Sequence, residues 1–173
     1  MNSNSNSNSN SNSNKHHHHV RQCRIETPLG PMLATRSELG LSGLWFDDQK
    51  HHPGDIDAPS GDDPLFESLR RALAAYFEGQ AVPKLPLDPQ GTTFQRAVWQ
   101  ALLEIAPGEV DSYGSIAARL GRPKAARALG AAVGRNPISI LIPCHRVLGS
   151  TGELTGYAGG IERKKALLEL ETH

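Results

Sequence analysis

Ser112-Tyr113-Gly114-Ser115-Ile116-Ala117-Ala118-Arg119-Leu120-Gly121-Arg122-Pro123-Lys124-Ala125-Ala126-Arg127-Ala128-Leu129 has the outline of a helix-turn-helix. Ser112 suits the cap of a first helix over Tyr113 to Leu120, with Ile116, Ala117 and Leu120 at apolar spacing. Gly121 then suits a C-cap, and Pro123 is tolerated in the first turn of the next helix. That second helix is predicted over Pro123 to Val133, with Ala128, Leu129 and Ala132 on one side. Lys124, Ala125, Ala126 and Arg127 fall at its N-terminal end, where a recognition helix meets a groove, and the two alanines permit close backbone approach.

The charge pattern around this pair points to a polyanion. Between Asp111 and Glu153 there is no acidic residue, yet Arg119, Arg122, Lys124, Arg127, Arg135 and Arg146 all lie there. The chain as a whole is formally neutral. The opposite bias occupies the earlier part, where Asp47, Asp48, Asp55, Asp57, Asp62 and Asp63 gather in one stretch. Such asymmetry fits nucleic acid as the partner of the basic half.

Inside the basic block sits Ile142-Pro143-Cys144-His145-Arg146-Val147, which holds one of only two cysteines. A thiol is a useful nucleophile as thiolate, and an adjacent imidazole is a standard way to lower its pKa. Pro143 removes a donor and fixes φ, so a rigid, non-helical turn is predicted at Cys144. Taken alone, a Cys-His pair is more often a buried thiol beside a solvated basic pair; its place in the basic block favours chemistry.

The run Arg135-Asn136-Pro137-Ile138-Ser139-Ile140-Leu141-Ile142-Pro143-Cys144-His145-Arg146-Val147 resembles the active-site signature of the O6-alkylguanine-DNA alkyltransferases, also called methylated-DNA–protein-cysteine methyltransferases. The likeness extends through Thr93-Phe94-Gln95-Arg96-Ala97-Val98-Trp99, Ser112-Tyr113-Gly114, Ala126-Arg127-Ala128-Leu129-Gly130 and Gly156-Tyr157-Ala158-Gly159-Gly160. It covers about the last half of the chain, and the acidic region before it is similar to the family's more variable N-terminal domain.

The resemblance implies a single-function bacterial type of protein. It would transfer a methyl or other alkyl group from O6 of guanine, and from O4 of alkylthymine, to Cys144 once per molecule after flipping the nucleotide out of the duplex. His145 would take the thiol proton through a water, and Glu171 would orient the imidazole; Glu169 is the rival if the register slips by two. Asn136 would tie the turn before Cys144, and Tyr113 would press on the target phosphate and donate to guanine N3. Arg127 would fill the gap left by the flipped base. Tyr157 would pack on the base, with the Ala158 amide facing O6. Ser112, Lys124, Ala125, Ala126 and Val147 complete the expected substrate and DNA contacts. No cofactor and no metal are implied: the four-cysteine zinc module of bifunctional relatives is absent, and Cys23, His51 and His52 are too sparse for a zinc site. Ala166 and Leu170 depart from many relatives, where Trp and His are frequent.

The expected fold is α+β: a small N-terminal α/β domain with an antiparallel sheet over 20–90, linker included, and a mostly helical, winged-helix-like C-terminal domain over 91–173. Residues 1–19, a Ser-Asn repeat with Lys15 and His16 to His19, are predicted to be a disordered leader and tag. Strands are predicted over Cys23–Thr27, Met32–Thr35 and Leu39–Phe46, with Pro28-Leu29-Gly30 as a turn. Asp47 to Gly61 is predicted to be a mobile loop. A helix should start at Asp63-Pro64, run to about Glu78, and turn Leu65, Leu69, Leu73 and Phe77 inward. After a proline-rich linker over 79–91, Thr92 and Gln95 form a capping box for a helix over Thr93–Ile105.

No apolar run reaches the length of a membrane span, and two distant cysteines make no disulfide framework, so a reducing cytoplasm is expected; a monomer with no membrane and no obligate protein partner is the accompanying expectation. Two rival readings stand beside alkyl transfer. A Cys-His-Glu hydrolase does not require the acid-free helix pair, and a helix-turn-helix regulator has no need of a thiol after a proline turn.

Overall fold

In the computed structural model, residues 19–172 are described. The leader expected over 1–19 therefore lies outside the described residues except for His19, whose Nδ1 is 2.7 Å from Ser42 Oγ. Three strands, β1 (Arg21–Ile25), β2 (Met32–Arg36) and β3 (Leu41–Phe46), form an antiparallel sheet in the order β1-β2-β3. The register pairs Cys23 with Ala34 and Ala34 with Leu44, so small and aliphatic side chains share the face that meets the core. Gly30, at φ 124°, allows the turn between β1 and β2, where its amide bonds Thr27 O at 3.0 Å.

Helix α1 (Pro64–Phe77) begins as expected. Asp63 accepts from the amides of Leu65 and Phe66, and Pro64 opens the first turn. Its inward face is rotated from the expected one: Phe66, Leu69, Ala72, Leu73 and Tyr76 are buried, while Leu65 and Phe77 are only half-buried beside them. Both stripes have helical spacing, and the larger aromatic pair at 66 and 76 takes the core. The segment over 47–61 is not a free loop. Gln22 Nε2 donates to Ile56 O and Ala58 O at 2.8 and 2.7 Å, and the Gln22 amide donates to Pro59 O at 3.1 Å, so this stretch is stitched to β1.

Helix α2 (Thr93–Leu102) carries the predicted capping box in full, with Gln95 N bonded to Thr92 Oγ1 at 3.1 Å and Thr92 N to Gln95 Oε1 at 2.9 Å. It ends three residues earlier than expected. Strand β4 (Asp111–Ser112) leads into α3 (Tyr113–Arg119), which Ser112 caps by accepting from Ser115 N at 3.1 Å. The second helix, α4 (Ala126–Gly134), starts three residues later than Pro123. A tight turn, closed by Ala125 N to Arg122 O at 2.9 Å, holds Pro123 and Lys124, and Ala125 offers no side-chain cap that would start the helix sooner. Trp99 Nε1 donates to Ala132 O at 2.9 Å and pins α2 to α4. Strand β5 (Val147–Leu148) pairs with β4 in parallel, and α5 (Ile161–Glu171) closes the chain.

The free edge of β3 joins the two halves. Leu41 pairs with the linker, bonding Pro86 O at 2.9 Å, and Leu44 pairs with the approach to Cys144: its amide bonds Pro137 O at 2.8 Å and its carbonyl accepts from Ser139 N at 2.9 Å. An edge that would otherwise present unpaired backbone is thus covered. One continuous apolar cluster runs from Ile25, Leu44 and Phe66 to Trp99, Ile138 and Leu167.

Candidate active site

The segment between α4 and Cys144 is built around Asn136, which is buried at 3% exposure. Its Oδ1 accepts from Ile138 N at 3.0 Å, and its Nδ2 donates to Ile142 O at 2.8 Å and to Cys144 Sγ at 3.1 Å. One amide thus ties both sides of the turn and also donates to the sulfur. Within the turn, Ile140 is held at φ 72°, a conformation that costs a β-branched residue energy and persists only under constraint from its surroundings. Cys144 itself opens a single 3₁₀ turn, Cys144–Arg146, with Pro143 before it at φ −82° and ψ 63°. The expected turn is therefore rigid but helical in its backbone, because the Cys144 carbonyl accepts from Val147 N.

The thiol is 6% exposed. Burial pushes its pKa up to about 11, against the opposing pull of the Asn136 hydrogen bond and the Lys164 charge. The expectation of a lowered pKa is thus corrected: the resting group is a thiol, and the proton must leave as reaction proceeds. A base lies ready. His145 is fully buried and its pKa is lowered, chiefly by that burial, so the imidazole is neutral. His145 Nε2 lies 2.6 Å from Glu171 Oε1. Burial raises the Glu171 pKa, but hydrogen bonds from His145 and Arg146 outweigh it and bring the carboxyl to about 2. An ionised carboxylate only accepts, so Nε2 carries the hydrogen and Nδ1 is left as a lone-pair base. Among the described residues, Nδ1 is one of the few buried polar atoms with no hydrogen-bond partner.

Glu171 is held on all sides. Arg146 donates from Nε to Oε2 at 2.9 Å and from Nη2 to Oε1 at 2.8 Å, and its Nη1 reaches Ile105 O at 2.6 Å. Tyr76 OH adds a bond to Oε1 at 2.7 Å. Glu169, the rival, is exposed. Lys164 is a further buried cation, its Nζ donating to Val147 O at 2.6 Å and Thr155 O at 2.7 Å.

A cleft of about 720 Å³ opens next to this relay, lined by Tyr113, Tyr157 and Ala158 together with Arg135, Thr155 and His51. Tyr157 connects cleft and relay, its ring lying edge-on to His145 at 6.4 Å between centroids. Val147 is fully buried. Lys124, Ala126 and Arg127 are exposed around the start of α4, with Ala125 half-buried, and do not line the cleft. The Ser112 oxygen is engaged as the α3 cap. Of the basic block, Arg146 turns inward to Glu171 and leaves the surface, while Arg119 stays exposed with its charge offset by Asp111.

Sequence reasoning missed Arg146, Tyr76 and Lys164 at this site. Arg146 follows Cys144-His145 directly, and the apolar pair Val147-Leu148 after it was a hint of burial; for Tyr76 the sequence holds no such signal.

A helix-turn-helix joined to a buried cysteine that adjoins a His145–Glu171 pair has the outline of a DNA-binding protein with a thiol placed for chemistry. Comparison with known proteins narrows the class. Residues 93–173 match the family described as "6-O-methylguanine DNA methyltransferase, DNA binding domain", and residues 21–89 match "6-O-methylguanine DNA methyltransferase, ribonuclease-like domain". The methylated-DNA–protein-cysteine methyltransferase of Haemophilus influenzae is 44% identical over 147 residues, 84% of this chain and 82% of that one. Its counterpart in Methanosarcina acetivorans is 46% identical over 147 residues, 84% of this chain and 94% of that one. Among solved structures, that of Mycobacterium tuberculosis OGT in complex with DNA superposes with a TM-score of 0.81 at 45% identity, covering 88% of this chain and 93% of that one. The chain belongs to the methylated-DNA–protein-cysteine methyltransferase family.

Proposed function

We propose that this chain repairs DNA by moving the alkyl group of O6-alkylguanine in duplex DNA onto Cys144. The observation that carries the reading is the thiol held by Asn136 beside a neutral imidazole whose far nitrogen is fixed by Glu171. The target atom is buried in the base stack, so the nucleotide must leave the duplex to enter the cleft beside Tyr157 and Ala158. Arg127 takes the vacated place in the stack, and the small side chains of Ala125 and Ala126, beside Lys124, allow the backbone of α4 to approach the groove.

The transfer balances as a displacement. The Cys144 proton passes through a water to His145 Nδ1, and the sulfur attacks the alkyl carbon. The carbon–O6 bond breaks, and guanine keeps the electron pair. Glu171 stabilises the imidazolium that forms, with the logic of a nucleophile, a base and its orienting carboxylate. Tyr113 donates its hydroxyl to guanine N3 and the Ala158 amide faces O6, so charge on the leaving base meets donors. The product thioether has no hydrolysable bond, so each chain acts once. Alkyl groups on thymine O4 present the same carbon to the same sulfur.

Mass spectrometry after mixing the protein with an O6-methylguanine oligonucleotide tests this directly. One methyl per chain on the Cys144 peptide is expected. Repeated turnover would support a hydrolase instead, and binding without mass gain would support a regulator.

A further inference from the structure

Glu171 Oε1 receives three hydrogen bonds, from His145 Nε2, Arg146 Nη2 and Tyr76 OH. The third donor comes from α1, 95 positions away in sequence and in the half of the chain matched by the ribonuclease-like domain. Tyr76 is 7% exposed, and its ring packs edge-on against Phe77 at 5.3 Å. We propose that Tyr76 is a positioning residue of the alkyl-transfer relay: its hydroxyl shares the negative charge of Glu171 with His145, and so sets how strongly the carboxylate draws on the imidazole.

The inference rests on the His145–Glu171 relay proposed above. A carboxylate oxygen has a limited electron density to offer, and each donor it accepts weakens the hold on the others. Tyr76 must donate, since an ionised carboxylate cannot. Burial and the Glu171 hydrogen bond push its pKa well above the usual phenol value, so it remains a neutral donor across the working range. The other groups that act on the relay are Arg146, which clamps Glu171 from the 3₁₀ turn, and Lys164 on α5, whose charge reaches His145 and Cys144. Arg146 is always charged and His145 becomes charged when it takes the thiol proton, whereas Tyr76 donates to Glu171 uncharged throughout, which makes it the contact whose strength can be tuned without adding or removing an ion.

The N-terminal half is therefore a contributor to the chemistry. A Tyr whose hydroxyl merely found a partner during packing would affect stability when replaced, but not the ionisation of the relay. Single-turnover transfer from an O6-methylguanine oligonucleotide, followed across pH with the full chain, separates the two. In Tyr76→Phe, Glu171 is relieved of one donor and draws harder on the Nε2 hydrogen. The imidazole becomes more basic, and the acid limb of the rate profile moves up by about half a pH unit. Replacing Tyr76 by 3-fluorotyrosine, a stronger donor of nearly the same size, moves the limb down and answers the question even if the phenylalanine variant folds poorly. Limbs that stay in place, or that move the same way in both proteins, overturn the proposal. Glu171→Gln is the control for the underlying relay. If its limb moves while those of the Tyr76 replacements do not, only Tyr76 is misassigned; if it too is unmoved, the relay itself fails.

Discussion

Replacing Asn136 by alanine isolates the contribution of the amide that binds the sulfur. Three hydrogen bonds go: one to Ile138 N, one to Ile142 O and one to Cys144 Sγ. The losses are unequal. Ile142 O still accepts from Cys144 N at 2.8 Å, so it is not orphaned, whereas the Ile138 amide, in a fully buried residue, has no other partner to replace Oδ1. An orphaned buried donor costs about 1–3 kcal/mol and an ordinary lost bond about 1 kcal/mol, for a total of about 2–4 kcal/mol. In a chain of this size that lowers the thermal midpoint by roughly 5–15 °C. The rate falls for a separate reason. The Asn136 bond opposes the rise in the Cys144 pKa caused by burial, and a hydrogen bond to a charged group contributes about 1.5–3 kcal/mol, so transfer slows by about 10- to 100-fold. Calorimetry and single-turnover transfer, measured below the new midpoint, give the two numbers independently. A midpoint within 2 °C of the parent, with a rate within about twofold, would refute the reasoning from these three contacts.

Three further outcomes are expected. Arg127→Ala should slow repair in duplex DNA far more than reaction with free O6-alkylguanine base, since only the duplex needs extrusion; equal loss on both substrates would return Arg127 to the fold or the pocket. Stability should fall on acidification. His145 and Glu171 both have lowered pKa values in the folded state, so the unfolded chain takes up protons first. The loss should begin below about pH 6.5 through His145 and steepen from about 4.5 toward 2 through Glu171, as chemical denaturation at stepped pH would show; a flat profile over that range would contradict the burial of the pair. DNA affinity should weaken with salt at a slope of about 0.9 per phosphate contact, and with Arg146 buried against Glu171 and Arg119 paired at the surface with Asp111, fewer contacts are expected than the six cations of the basic block suggest.

Local chemistry was what the sequence conveyed. The Thr92–Gln95 box, the Asp63 cap and Pro64 start are decided by neighbours within three residues, and they stand where the pattern put them. The start of α4 was misjudged because Pro123 fits a first helical turn equally well as a tight turn, and only tertiary packing separates the two. The inward stripe of α1 was legible in part: Leu69 and Leu73 are buried as expected, but two overlapping apolar stripes compete, and the core takes Phe66 and Tyr76 fully while Leu65 and Phe77 pack half-buried at its edge. Arg146 was counted with the DNA-facing cations because charge along a sequence does not say which way a side chain turns. Its partner stands 25 residues on, and Tyr76 stands 95 back from Glu171; no periodicity connects such positions.

The pairing of Leu44 with Pro137 and Ser139 has a consequence for how the protein opens. The segment that carries the nucleophile is laid along the sheet like an extra strand, so peeling that sheet apart releases the Cys144 turn as well. The Leu44 and Ser139 amides should therefore exchange with solvent deuterium together, at the rate of the slowest class, and a break in the sheet far from the thiol should expose the thiol to alkylating reagents in the same event. The halves would then share one unfolding unit rather than two.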